Sequence, residues 1–573
     1  MKKGFCVFMK VSLVMSFLLL GSFVYGATAK DASVNKPQYG EALTIATPTN
    51  PVCWDIGEWC WSIGKDMGFN MEHLLMGDLQ KGPRGTNQYF FHDAGWIPIE
   101  NVRGELLQSW EVKRNPPKII LHLRKGVMWQ EKPGVMNARE LVADDVVYSI
   151  NRIKNSPKAI PLYMDYVGKM ETPDKYTVVV NMTEWCADWW KGLGLGYVDA
   201  IQAPEQEKAS GGAGKWENAT GTGPFMINEY KDGHSLTYVK NHKYWDSEAI
   251  NGKKYKLPFV DKVTRMIIKD EPTRIATFRT GKLDILREIS WQQVDGLKKS
   301  NPQLKWNRAL YTSNFTMAFR MDKKPFNDIR VRQALNMAVN KKEIIDKFFG
   351  GNAELHTYPF PSSFKSVYTP LDKLPPSARA LYSYNPEKAK KLLAEAGYPN
   401  GFTFKAQIAN NRQYQVELAE MVAAYLNRIG VKMELQPMDY TSWLSVMVKK
   451  NHSEGIFYGT DTGSPFTGIR KNFVTGQTWN PHMMADPYLD KTWDDATTNP
   501  NLTYEQSMEV MKKLAVYALE QAPALILPTP HLYTAWWPWV KNFYGEDFVG
   551  PQRDGPIYAR IWIDQEMKKK MGY

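Results

Sequence analysis

Cysteine is scarce in this chain: four in 573 residues, at Cys6, Cys53, Cys60 and Cys186. A cysteine-rich metal module and a disulfide-dense miniature scaffold are therefore both excluded. The nine histidines include no His-Glu-x-x-His and no paired Cys/His spacing, so no zinc-enzyme motif is present. Two glycine-rich stretches, Gly192–Gly196 (GLGLG) and Gly221–Phe225 (GTGPF), lack the Gly-Lys-Ser/Thr ending that holds a nucleotide phosphate. Asp461-Thr462-Gly463-Ser464 spells the aspartic-protease motif, but that chemistry needs two carboxylates sharing a proton. No second Asp-Thr-Gly exists in the chain. An exported hydrolase, the alternative from a different class, is left without an assembled nucleophile or metal set, and the expectation is a non-enzyme with no cofactor. Acids are outnumbered, 60 against 72 Lys and Arg, for a formal charge of +12. No long basic cluster accompanies that excess, so a nucleic-acid partner is not expected. The run Lys568–Lys570 reads as a solvated tail.

What the chain does have is length and flat side chains. At 573 residues it exceeds what one hydrophobic core supports. Its 20 Trp and 29 Tyr are more than a core requires and suggest a ligand surface. Lys2, Lys3 and Lys10, the apolar run Val11 to Val24 and the small residues Gly26–Ala29 have the order of a secretory signal peptide, placed at 1–26. The run is short for a membrane span, and Cys6 precedes it, so no lipid-attachment cysteine sits at the expected cut. Three lysines and no acids leave with this segment, taking the charge from +12 to +9. In an oxidising compartment Cys53 and Cys60 can form a disulfide, leaving Cys186 as a buried thiol.

Along the chain, Ala42–Thr47 alternates as a strand. Pro51–Trp61 (PVCWDIGEWCW) is dense in tryptophan, and it reads either as a packed loop or, through Trp54 and Trp59, as one wall of a cleft. Strands are expected at 119–123, 176–182, 236–239, 263–268 and 283–286, with helices opening at Ala143 and Pro272. Pro325–Phe349 predicts two tandem helices: Asp328 caps the first, Asn340 and Glu343 open the second as a capping box, and Gly350–Gly351 ends it. Asn385-Pro386 starts another helix, stopped at Gly397. A strand at 402–408, a helix at 415–429 and a strand at 431–435 form a strand–helix–strand unit with parallel pairing, so the class is α/β. An apolar strand at 522–528 and the aromatic run Tyr533–Trp539 follow.

Set in order, several segments resemble the extracellular solute-binding proteins of ATP-driven importers, family 5, which bind oligopeptides, dipeptides or nickel. The matching pieces are Leu107–Trp110, Leu121–Trp129, the Ala143–Ile150 helix, GTGPF at 221–225, Pro325–Phe349 and Tyr384–Gly397. Arg428-Ile429-Gly430-Val431 and Ala522-Pro523 complete the set. The resemblance implies a periplasmic binding protein-like fold of class II, three-domain type: two lobes, a hinge and an inserted domain. The first lobe would comprise 27–75, 215–310 and 525–573, the inserted domain 76–214 and the second lobe 311–524. It also implies a site. Asp461 would pair with a peptide's α-ammonium group, with Phe457 and Tyr458 as neighbouring aromatics and Pro465 closing the turn.

The expected function is capture of an oligopeptide or dipeptide in the interlobe cleft and delivery to a permease driven by ATPase subunits, by a monomer in the periplasm. An oligosaccharide is the competing ligand, since Trp54, Trp59, Trp61, Trp189, Trp190, Trp536 and Trp537 could stack on sugar faces; a nickel chelate is a further alternative.

Overall fold

Alternating apolar residues in short segments between turn formers build three main sheets, with three two-stranded ones beside them among the described residues. The computed structural model describes residues 36–93, 95–159, 164–311, 313–461 and 463–573, without the side chains of 460 and 461. The expected signal peptide and residues 27–35 lie outside the described residues.

The largest sheet has the order 305–310, 529–536, 285–289, 42–47, 262–267, 235–240, 225–231. Ala42–Thr47 lies near its centre, parallel to Lys262–Ile267. Leu43 and Ile45 point into the core on alternate positions, as a period of two requires. The second sheet, of five strands, has the order 432–438, 403–409, 455–461, 313–319, 524–526. Its parallel pair Thr403–Ala409 and Lys432–Met438 is joined by the helix Gln413–Asn427, the crossover that the sequence pattern predicts. The third sheet, of four antiparallel strands, has the order 107–114, 117–123, 177–182, 167–174.

Two connections join the first two sheets. Lys305–Leu310 ends in the large sheet and the chain continues as Ser313–Phe319 in the five-stranded one; Ala524–Ile526 returns as Thr529–Trp536. The two crossings run side by side. They pair antiparallel on both sides of the junction, Leu310 with His531 and Thr316 with Ile526, and the Tyr311 N–H donates to the Pro530 carbonyl between them. The hinge is thus a two-stranded ribbon. Ala353–Glu354 adds one short rung to it, opposite Thr529 and Pro530.

Pro325–Phe349 departs from expectation at its second half. Asp328 caps Ile329–Ala338 by accepting from the Arg330 N–H. Asn340 accepts from the Glu343 N–H, but after Glu343 the coil widens into a π-helical turn, Ile344–Phe348. The Glu343 carboxylate accepts from the Asn340 side-chain amide, the Tyr425 hydroxyl and Lys347 rather than from the Asn340 backbone N–H, so the reciprocal half of the capping box does not form. The added residue of the wide turn leaves Ile345 half-exposed and buries Phe349 instead.

Candidate functional site

Strand Ile285–Ile289 of the large sheet slips register against Thr529–Trp536 between Leu286 and Ile289. At that bulge Glu288 adopts a left-handed backbone, φ +55°. A non-glycine residue there costs about 1–3 kcal/mol, so such a conformation persists where the surroundings enforce it, often at a working site. Its neighbour Arg287 donates to both Asp547 and Asp554, each at 2.9 Å, and its guanidinium lies 4.6 Å from the Phe548 ring centroid. Glu288 is exposed and, among the described residues, makes no hydrogen bond or ion pair.

Across the junction, the loop after Thr403–Ala409 brings Arg412 to the ribbon. Its guanidinium lies 5.1 Å from the ring centroid of Tyr311, the residue at the first crossing, and the Tyr414 ring meets Trp291 of the large-sheet side edge-on at 5.8 Å. Among the described residues no carboxylate lies within ion-pair distance of Arg412.

These groups lie where the two sides of the junction meet, as the Tyr414–Trp291 and Arg412–Tyr311 contacts show. Glu288 keeps an exposed surface, and Lys65, Arg287, Tyr311, Arg412 and Tyr414 are half-buried, yet loss of hydration acts on every one of them. For Glu288 that loss pushes the carboxyl up, but Arg412, then Lys65, Arg287 and Arg274, outweigh it and hold it below the usual value. Burial raises the Tyr311 hydroxyl to about 12 against the pull of Arg412. Burial lowers the Lys65 ammonium, with Arg265 adding to it. Charged side chains thus stand on both sides of the junction, Lys65, Arg287 and Glu288 on the large-sheet side and Arg412 on the five-stranded side.

A second contact joins the body of the four-stranded sheet to the five-stranded side. The Ala187 N–H donates to the Thr497 carbonyl at 2.9 Å, Arg470 pairs with Asp165 at 2.5 Å, and Trp96 stacks on Phe364 at 5.0 Å. Ser464, the cap of helix Pro465–Phe473, donates its hydroxyl to the buried Asp188. Burial lifts the Asp188 carboxyl to about 7, with the Ser464 hydrogen bond and Lys191 opposing. Beside this contact lies a cavity of about 80 Å³ bounded by Asp188, Lys191, Phe466, Arg470 and Trp493. Gly95 packs on the backbone of Gly463; a Cβ at Gly95 would fall 3.0 Å from the Gly463 nitrogen.

The residues singled out in the sequence are dispersed. The Asp461 backbone ends strand Gly455–Asp461, opposite Ser313 just past the first crossing; its side chain lies outside the described residues. Phe457 and Tyr458 point to opposite faces of that strand, and both are buried. Phe457 stacks on Phe315, while the Tyr458 hydroxyl meets His482 Nε2 at 2.8 Å. Trp54 and Trp59 are almost wholly covered, at 8% and 7% exposure. Trp54 meets Tyr230 edge-on, and the Trp59 indole donates to the Ile153 carbonyl at 2.8 Å. Neither presents an open face, and their aromatic surface packs the large sheet to the inserted body. Trp189, Trp190, Trp536 and Trp537 are buried likewise. Cys53 and Cys60 form a disulfide, and Cys186 is a free, half-buried thiol. Among the described residues no group of three or more His, Cys, Asp or Glu side chains is placed to hold a metal ion. Arg412 and Glu288 were not legible as site residues: lone charges in loops and bulges leave no periodic pattern.

Two sheets joined by a two-strand hinge, with a third, four-stranded body beside them, fit a class II periplasmic binding-protein fold of several domains. The chain belongs to the bacterial extracellular solute-binding proteins, family 5, whose middle-region profile matches residues 101–480. Members of this family are transport binders rather than enzymes, periplasmic in Gram-negative bacteria. The chain is 28% identical over 490 residues to the heme-binding protein A of Haemophilus influenzae, covering 79% of this chain and 85% of that one. It is 25% identical over 485 residues to the dipeptide-binding protein of Escherichia coli, covering 78% and 87%. Among solved structures, an ABC transporter-associated periplasmic binding protein from Helicobacter pylori in complex with the peptide STSA superposes with a TM-score of 0.72. That pair is 20% identical, covering 92% of this chain and 99% of the other.

Proposed function

We propose that this protein captures short peptides in the hinge crevice and hands them to a membrane permease driven by ATPase subunits. It acts as a monomer, exported to the periplasm with loss of residues 1–26, and has no catalytic activity of its own. The observation that carries the reading is Arg412, a guanidinium without a carboxylate partner among the described residues, 5.1 Å from the Tyr311 ring at the first crossing. A planar fork of donors in that state suits a carboxylate, such as a peptide C-terminus. Asp461 takes the α-ammonium group at the other end, from a strand terminus on the same lobe. The names of the relatives, with dipeptide-, di/tripeptide- and glutathione-binding proteins among them, favour the same class of ligand. An oligosaccharide would need open aromatic faces, and the candidate tryptophans other than the half-buried Trp61 are covered.

Three parts serve this function. Residues 27–75, 215–310 and 525–573 make the first lobe, 76–214 the inserted domain and 311–524 the second lobe. Ligand touching both lobes binds the closed state better than the open one and shifts the population towards closure.

Titration calorimetry of Asp461→Asn and Arg412→Gln with a di- and tripeptide panel tests the assignment. Each substitution is expected to weaken binding about tenfold or more, the scale of one lost hydrogen bond to a charged group, with the unfolding midpoint unchanged. Affinities equal to wild type in both variants would contradict it.

A further inference from the structure

We infer that the cavity beside Asp188 is a separate binding site for a primary alkylammonium group. The site does not depend on the peptide reading. A free amine and the lysine side chain of a larger ligand carry the same chemistry, and either can supply the group.

The cavity, of about 80 Å³, exists only where two bodies meet. One wall is the segment 165–192 of the inserted body; the other comes from helix Pro465–Phe473 and from helix Pro487–Thr498. One water needs about 10–15 Å³ of such space, so about five to eight waters fit, or an organic chain of about as many heavy atoms. Butylammonium falls in that range, and so does the side chain of lysine. The buried part of the lining is aromatic, with Trp185, Phe466 and Trp493, and the exposed rim is acidic, with Asp165, Glu184 and Asp494.

Both cations of the lining are engaged. Arg470 pairs with Asp165 at 2.5 Å and lies 5.1 Å from the Trp493 ring centroid, and Lys191 Nζ donates to the Gly95 carbonyl at 2.5 Å. Glu184 and Asp494 stand on opposite walls and make no ion pair among the described residues. Loss of hydration, then Asp494 and Asp165, push the Glu184 carboxyl up against the pull of Arg470. Deeper in, Asp188 is 4% exposed. One of its oxygens accepts from Ser464, while Oδ1 has no hydrogen-bond partner among the described residues. A buried acceptor in that state is costly unless a donor reaches it.

An ammonium group answers each of these features. It brings donors and a positive charge to Asp188, favouring the ionised carboxylate that burial disfavours. Glu184 and Asp494 attract it from the rim, and its methylenes replace water against Trp185, Phe466 and Trp493. An anion would meet four acids, and a neutral chain would leave their charge uncompensated. Since the walls belong to different bodies, an occupant binds their joined state best and shifts the population towards it.

Titration calorimetry of the full chain at pH 8 with methyl-, ethyl-, propyl- and butylammonium tests the site. Affinity is expected to rise about threefold with each methylene. Butyrate and 1-butanol should bind about tenfold or more weakly than butylammonium, the scale of one lost charge-assisted contact. Asp188→Asn should weaken butylammonium about tenfold or more, and Glu184→Gln with Asp494→Asn about threefold or more, with unfolding midpoints showing that each variant is folded. If Asp188→Asn does not fold, the rim variant decides alone. Wild-type affinity in either folded variant would overturn the inference. A series indifferent to chain length would do the same, since it places the ammonium on the surface. Absence of saturable butylammonium binding would also overturn it and leave the peptide reading untouched. Displacement of bound butylammonium by a lysine tripeptide and not by its norleucine counterpart would identify a ligand side chain as the source. No displacement would identify a free amine, and both results uphold the site.

Discussion

Arg332 shows how one side chain can tie together segments distant in sequence. It sits on the buried face of helix Ile329–Ala338 and donates to the carbonyls of Phe326 at 2.6 Å, Gln521 at 2.8 Å and Ala522 at 3.2 Å. No acid is paired with it among the described residues, and burial lowers its guanidinium to about 10, with Asp328 opposing. Arg332→Met keeps the volume and strands three carbonyls, each carbonyl costing about 1–3 kcal/mol if no water replaces the donor. The expected loss in denaturant unfolding is about 3 kcal/mol or more; a loss below about 0.5 kcal/mol would mean water takes over the contacts. At this scale the sequence was partly readable. Asp328 and Asn385 cap the helices they precede, because capping chemistry is local and its spacing is written in the chain. The tryptophans were harder to read. A Trp in a loop has the same letter whether its face is open or covered, and only tertiary packing covered Trp54 and Trp59.

Elements were legible where a period or a cap marked them. The strand–helix–strand unit from Thr403 to Met438 and the helix Pro386–Glu395 follow their patterns closely. The π-helical turn after Glu343 and the bulge at Glu288 were not legible, since each is an irregularity imposed by what packs against it. The contact between the inserted body and helix Pro465–Phe473 carries a pH signature. Asp188 is raised to about 7 from 3.8, so the native state keeps a proton that the unfolded chain gives up between those values. Its contribution to stability is fully present below about pH 4 and is lost as pH rises through about 7. Asp188→Asn retains an acceptor for Ser464 and removes the titration. In thermal unfolding at pH 5.5 and 8.5, the variant should lose less stability on going to the higher pH than wild type does. Parallel pH profiles would refute the role of Asp188.

For the whole molecule, the arrangement of sheets explains how binding and movement are coupled. The two crossings form a ribbon whose hydrogen bonds run on both sides of the junction, so the lobes can swing about it without breaking either sheet. Arg412 stands over the Tyr311 ring at the first crossing, so a ligand held there, as proposed, acts where the angle between lobes is set. The architecture could be inferred from ordered segments spread over the chain. The junction site could not, because Arg412 meets Tyr311, and Tyr414 meets Trp291, only when both sides fold. The account's central claim is that this site holds a peptide by both charged ends. The most direct measurement is calorimetric titration with one peptide in three forms: free, acetylated at the amino terminus and amidated at the carboxyl terminus. Each blocked form is expected to bind about tenfold or more weakly than the free peptide, the scale of one charge-assisted contact. Equal affinity for all three would contradict it.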